Sequence, residues 1–125
     1  MALDVLIVDD SAAIRKILQR VLAQAEISLS NVYEAGDGLE ALDVLKANRV
    51  DLVLADINMP KMDGIQLLRE IKTDERWAGI PVVMVTTEGG QSKVIAAAEI
   101  GAAGYVRKPF TADQIRRTLE PILAA

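Results

Sequence analysis

Val50-Asp51-Leu52-Val53-Leu54-Ala55-Asp56-Ile57-Asn58-Met59-Pro60-Lys61-Met62-Asp63-Gly64 decides how this chain folds. Leu52 to Ala55 are consecutive apolar residues, the pattern of a strand covered on both faces, as in a parallel sheet. The run stops at a carboxylate, Asp56. Pro60 lacks a backbone donor and pushes Met59 towards extended geometry, so the strand cannot pass directly into a helix. Asp63-Gly64 is a turn pair, and the next helix begins there. Asp56 therefore stands at the carboxyl end of a buried strand, where open α/β sheets place their ligands.

The same grammar recurs on both sides. Val5 to Val8 is apolar and ends in Asp9-Asp10, with Ser11 as the cap of a helix. Ile14, Ile17, Leu18, Val21 and Leu22 give that helix an apolar face up to about Ala25. Residues 28–30 read as loop and Val32-Tyr33 as a short strand. Asp37 caps a second helix with Glu40 three positions on, and Leu39, Leu42 and Leu45 form its inward stripe. Ile65, Leu67, Leu68 and Ile71 make a third helix that ends before Asp74, and Trp77 follows in a loop. Val82 to Val85 is the fourth apolar run, closed by Thr86-Thr87. Gly89-Gly90 breaks the chain before a helix from about Gln91 to Ile100. Ala102 to Val106 is the last strand, followed by Arg107-Lys108-Pro109-Phe110. Thr111 caps a final helix with Gln114 at its third position; Ile115, Leu119 and Ile122 face inward, and Pro121 frays the end. Five strands alternate with five helices and no linker intervenes. The expectation is one domain over residues 1–125, an α/β doubly wound five-stranded parallel sheet.

Composition narrows the chemistry. With 125 residues, 51% of them apolar, the chain can bury one core. Fourteen Lys and Arg against 18 Asp and Glu give a net charge of −4, which argues against a general grip on nucleic acid or an anionic membrane. No apolar stretch approaches the ~18 residues of a membrane span. Met1-Ala2-Leu3-Asp4 lacks the basic flank of a signal peptide, so a cytoplasmic protein is expected. The chain contains neither Cys nor His, which removes disulfides, thiolate and imidazole chemistry, and metal sites built on sulfur or imidazole. Carboxylates, lysines, hydroxyls and a hard cation remain, and among cations that favours Mg²⁺.

The residues that end strands one, three, four and five are Asp9-Asp10, Asp56, Thr86-Thr87 and Lys108. All should project at one sheet edge. In the strand order 2-1-3-4-5, strands one and three flank the topological switch point, so the three carboxylates converge there. Gathered carboxylates repel, and a divalent cation with oxygen ligands relieves that. Lys108 supplies a point charge for a phosphoryl oxygen and Thr86 a hydroxyl donor. Any one of these alone is more often an ordinary turn or helix cap. An acid pair, an acid, a hydroxyl and a lysine on four strand ends point to a site.

The joint pattern resembles the receiver domains of two-component signalling, and most of all the stand-alone chemotaxis (CheY-like) regulators, whose sheet is flavodoxin-like. The residues that carry the resemblance are Leu6 to Ser11, Asp56 to Gly64, Met84-Val85-Thr86, and Tyr105 to Phe110, and the match spans essentially the whole chain. It implies that Asp56 accepts a phosphoryl group from the phosphohistidine of a histidine kinase. It implies that Asp10, Asp56 and the Asn58 backbone carbonyl ligate Mg²⁺, with Asp9 acting largely through water. Lys108 would pair with the phosphoryl oxygens, across a cis Lys108-Pro109 bond. Thr86 and Tyr105 would be the switch pair, and Asn58, Thr87 and Glu88 would set the rate of dephosphorylation. Thr87 stands where a smaller residue is often found. The resemblance further implies a monomeric phosphoacceptor switch, not an enzyme, that assists its own phosphorylation and dephosphorylation. It would bind a downstream protein, such as a flagellar motor component or another effector, through the face of helix four, strand five and helix five. Lys93, Val94, Ala97, Tyr105, Arg107, Gln114 and Arg117 are the candidates on that face.

Three other readings compete. Asp56-Ile57-Asn58 is similar to the nucleophile motif of Mg²⁺-dependent aspartate phosphatases of the haloacid-dehalogenase type, but those place it after their first strand and need more chain. A flavin binder is disfavoured, because Asp9-Asp10-Ser11-Ala12 is too acidic for a flavin phosphate. A receiver cut from a longer regulator with an output domain is compatible with every residue.

Overall fold

Ten elements alternate along the chain: β1 (Leu3–Val8), α1 (Ala12–Gln24), β2 (Leu29–Ala35), α2 (Gly38–Ala47), β3 (Leu52–Ala55), α3 (Gly64–Thr73), β4 (Val82–Thr86), α4 (Gln91–Ile100), β5 (Gly104–Arg107) and α5 (Ala112–Ala124). The computed structural model describes residues 2–87 and 89–124. The strands form one parallel sheet in the order β2-β1-β3-β4-β5. Strand alternation splits the core in two. Leu6, Val8, Val53, Ala55, Val82 and Met84 pack with Leu45, Leu67, Leu68, Ile71 and Ala97 from α2, α3 and α4. Val5, Ile7, Leu52, Leu54, Val83 and Val85 pack with Leu18, Leu22, Ile115 and Leu119 from α1 and α5. Both faces of β1, β3 and β4 are thereby covered, which is why those strands read as continuous apolar runs.

The helix caps follow the sequence. Ser11 accepts from the Ile14 N–H at 3.2 Å and Asp37 from the Glu40 N–H at 2.9 Å. Asp63 and Gln66 form a reciprocal capping box, as do Thr111 and Gln114. Trp77 is buried beneath the Arg76 guanidinium, which lies 4.3 Å from its ring centroid.

Several expectations are corrected. The loop over residues 28–30 is partly strand, because Leu29 pairs with Leu3 and the Asp4 carboxylate accepts from the Asn31 N–H at 3.1 Å. Ile17 and Leu39 are exposed. Leu18 and Leu22 set the inward face of α1, and Gly38, Ala41 and Leu45 that of α2. At about 100° per residue, Ile17 falls one step off the first face and Leu39 about 200° from Ala41. The last strand begins at Gly104 rather than Ala102. Pro121 lies inside α5, which runs on to Ala124. A proline there removes one helix bond near a terminus, and Ile122 and Leu123 pack on the core beyond it.

At the end of α1 the chain leaves through a left-handed residue that is not glycine. Glu26 has φ 63°; its N–H donates to Ala23 O at 3.1 Å and that of Ile27 to Leu22 O at 3.1 Å. That is a Schellman ending, in which a Cβ costs of order 1 kcal/mol. Glu26→Gly is expected to stabilise the fold by a few tenths of a kcal/mol, roughly 0.3–0.6, after the greater freedom of its unfolded chain is subtracted. A shift in urea midpoint at constant slope measures it, and a lower midpoint would contradict the strain argument.

Candidate functional site

Two strand ends bring the buried acids together. The Asp56 N–H still donates to Val8 O at 2.9 Å, and the Asp9 N–H to Ala35 O at 3.0 Å, so both residues leave adjacent strands in register. Lys108 arrives from the end of β5, where its N–H donates to Thr86 O at 2.9 Å and the Lys108-Pro109 bond is cis. Its ammonium lies 2.6 Å from Asp9 Oδ2 and 3.1 Å from Asp56 Oδ2. Burial works against that charge. The Asp9 hydrogen bond and the charges of Asp56 and Asp9 outweigh it, and the Lys108 pKa rises above the ordinary lysine value.

The remaining oxygens of the buried pair are also engaged. Asp9 Oδ1 accepts from the Ser11 N–H at 2.9 Å, and Asp56 Oδ1 from the Ile57 N–H at 2.7 Å. Asp10 differs from both. It is exposed and makes no hydrogen bond or ion pair among the described residues. Oxygens of Asp9, Asp10 and Asp56 nevertheless lie within 4.8 Å of one another. Three carboxylates face one ammonium. A donor set made only of oxygen, in a chain without Cys or His, suits a hard divalent ion.

The segment between β3 and α3 folds back over Asp56. The Gly64 N–H donates to Ile57 O at 2.8 Å, and a Cβ on Gly64 would lie 2.8 Å from Ile57 Cα, closer than real contacts allow. The Gly38 N–H donates to Met62 O at 3.1 Å, tying the start of α2 to the same segment. Between them Lys61 takes φ 67°, with the Met62 N–H donating to Pro60 O at 2.7 Å. This tight γ-turn stores of order 1–3 kcal/mol.

Asp9, Asp10, Asp56 and Lys108 thus meet. Thr86 is fully buried at the end of β4 and its hydroxyl is satisfied. Asn58 is exposed on the loop. Tyr105 is half-buried beside a cavity of about 120 Å³ lined by Val94, Ala97, Ala98, Ala102 and Gly104. Thr87 is exposed and shares an apolar groove of about 350 Å³ with Ile14, Ile17, Lys108, Pro109 and Phe110. Glu88 lies outside the described residues. Tyr105, Arg107, Gln114 and Arg117 line a shallow cavity of about 400 Å³, and Lys93 is exposed on α4. Ala97, expected on that surface, is buried in the core. The sequence reading missed Arg15, whose Nη1 donates to Asp9 O at 2.6 Å. Its signal is a position four residues after the helix cap Ser11, from which a long side chain reaches back towards the N-terminus.

The sequence pattern of the response regulator receiver domain matches residues 5–120. The chemotaxis protein CheY of Pseudomonas aeruginosa is 42% identical over 118 residues, covering 94% of this chain and 94% of that protein. Among solved structures, the phosphorylated cyanobacterial phytochrome response regulator RcpA superposes with a TM-score of 0.82 at 29% identity, over 98% of this chain and 91% of that one. The Mn²⁺-bound form of response regulator Rcp1 does so with a TM-score of 0.80 at 31% identity, over 98% and 92%.

In chelator, Asp10→Asn is expected to raise the melting midpoint by roughly 1–3 °C, because of the three clustered carboxylates it removes the one without a partner among the described residues. Lys108→Ala is expected to cost about 3 kcal/mol, because it strands Asp9 in a buried position. Thermal and urea melts test both, and a fall in midpoint for Asp10→Asn would reduce the acid pair to a feature of the turn.

Proposed function

The chain belongs to the response regulator receiver family, and we propose that Asp56 is its phosphoacceptor, in a single domain spanning residues 1–125. The observation that carries this reading is the convergence of Asp9, Asp10 and Asp56 on one sheet edge with Lys108 between two of them. A carboxylate oxygen of Asp56 attacks the phosphorus of a kinase phosphohistidine. The P–O bond forms as the P–N bond breaks, and its electron pair leaves with the imidazole. Such a loose transition state needs positioning and charge neutralisation more than acid-base groups, which a chain without His supplies. Lys108 is held at bonding distance from Asp56 and passes to a phosphoryl oxygen once the product forms.

The clustered oxygens of Asp9, Asp10 and Asp56 suit Mg²⁺, with the Asn58 carbonyl as a further ligand by the family resemblance; the ion when bound would neutralise charge on the phosphoryl oxygens. Asp10 suits a ligand because its carboxylate is bonded to nothing else described.

The product carries roughly −1.5 to −2 charges where the free Asp56 carboxylate carried −1, and places three phosphoryl oxygens above the strand end. The Thr86 hydroxyl moves to it, and the Tyr105 ring turns into the cavity beside α4. The α4-β5-α5 face, with Arg107, Gln114 and Arg117, then binds its target. The likeness to a chemotaxis protein supports a signalling protein as the target, and our reading is a flagellar motor component or another effector in the cytoplasm. The protein acts as a monomeric switch rather than an enzyme. Asn58, Thr87 and Glu88 set how long it stays on, Thr87 by narrowing the approach of water beside Lys108.

Acetyl phosphate with Mg²⁺ is expected to label the wild type and not Asp56→Asn; labelling of that variant at the wild-type level would end the reading. Mg²⁺ at ten times its Kd should stabilise the wild type by about 1.4 kcal/mol, roughly 3–6 °C, and Asp10→Asn much less. Thr87→Ala is expected to shorten the phosphorylated lifetime without slowing labelling. A lifetime that is unchanged or longer refutes the crowding role of Thr87.

A further inference from the structure

We propose that Arg15 is a positioning residue for the acidic pocket, held by Glu34 and fixing the peptide that joins Asp9 to Asp10. The inference rests on the phosphoacceptor reading. The last ladder bond of β1 is the one from the Asp9 N–H to Ala35 O. The next carbonyl, that of Asp9, belongs to a residue only 2% exposed, at the point where the chain turns into α1. Arg15 Nη1 donates to it at 2.6 Å. The same guanidinium donates through Nε to Glu34 Oε1 at 2.9 Å. Glu34 is itself anchored, since it lies in β2 opposite Ile7 and its Oε2 accepts from Lys16 at 3.0 Å and Gln19 at 3.1 Å. Hydrogen bonds from Arg15 and then Lys16 hold the Glu34 carboxyl below its ordinary pKa, so it stays ionised against the arginine.

Arg15 is 19% exposed and Lys16 63%, so of the two only Arg15 is enclosed between helix and sheet. The contact matters because of what the other acids already have. Asp9 is oriented by Ser11 and Lys108, and Asp56 by Ile57 and Lys108. Asp10 has no side-chain partner among the described residues, so its carboxylate is placed by the backbone alone. The Asp9 carbonyl is part of the peptide plane that sets where Asp10 leaves the chain. An arginine fork can hold Glu34 and that carbonyl at once, whereas a lysine offers a point donor without the fork.

Calorimetric titration of MgCl₂ into the unphosphorylated protein, paired with labelling rates at rising Mg²⁺, tests this. Arg15→Ala is expected to bind Mg²⁺ about tenfold more weakly, the order seen when an outer partner of a metal ligand is lost. Its labelling rate should recover at saturating Mg²⁺. Arg15→Lys should fall between alanine and wild type, and Glu34→Gln should weaken binding in the same direction; these two carry the test if Arg15→Ala does not fold. Arg76→Ala, which removes the Asp74 pair and the stack on Trp77, is expected to lower the midpoint and leave Mg²⁺ affinity unchanged. Wild-type affinity in both Arg15→Ala and Glu34→Gln overturns the inference alone, as does an equal loss in Arg76→Ala. A wild type that neither binds Mg²⁺ nor labels at Asp56 overturns the phosphoacceptor reading together with it.

Discussion

The contact on which this structure depends is the Lys108 ammonium set between Asp9 and Asp56. It joins residues 99 and 52 positions apart, so it exists only when strands β1, β3 and β5 stand in one sheet with their carboxyl ends aligned. Buried carboxylates on adjacent strands oppose folding unless a cation comes with them. The lysine meets that need for two of them and leaves the third, Asp10, exposed and free to take a ligand. Three carboxylates against one ammonium leave the site about two negative charges from neutral, well suited to respond to a metal ion.

Rigidity and strain are distributed to match. The central strands are covered on both faces and give the site a fixed floor. Above it, the β3–α3 segment is clamped by Gly64 on Ile57 and by Gly38 on Met62, with the strained turn at Lys61 between them. Gly64 is required because the segment lies against the Asp56–Ile57 backbone with no room for a Cβ, while a Cβ on Gly38 would run into the Met62 side chain. On the other side of the pocket, Arg15 and Glu34 tie the turn after β1 to edge strand β2. The acids are therefore held from three directions while the pocket stays open above Asp10.

Most of the architecture and the four central site residues were legible in the sequence. Strands buried on both faces must be continuously apolar, so their ends are visible as the first charge or hydroxyl. Ser11, Asp37, Asp63 and Thr111 cap helices through bonds to residues three positions away, and such local chemistry needs no knowledge of the fold. The α/β alternation then brings Asp9, Asp10, Asp56 and Lys108 to one edge.

What tertiary structure alone decided depends on which neighbour each element meets. Ile17 and Leu39 are as apolar as the residues beside them, but their exposure follows from how α1 and α2 are rotated on the sheet. Leu29 joins β2 because Leu3 of β1 pairs with it, and α5 continues through Pro121 because Ile122 and Leu123 have a core to pack on. Ala97 belongs to the interior rather than the binding face for the same reason of packing. Arg15 in the sequence is one more basic residue on a helix. Only the approach of β2 sets Glu34 beside it and turns it towards the carbonyl of Asp9. Local sequence specified which residues end each element; the three-dimensional packing specified which of them touch, because those contacts join segments that nothing in their own neighbourhood relates.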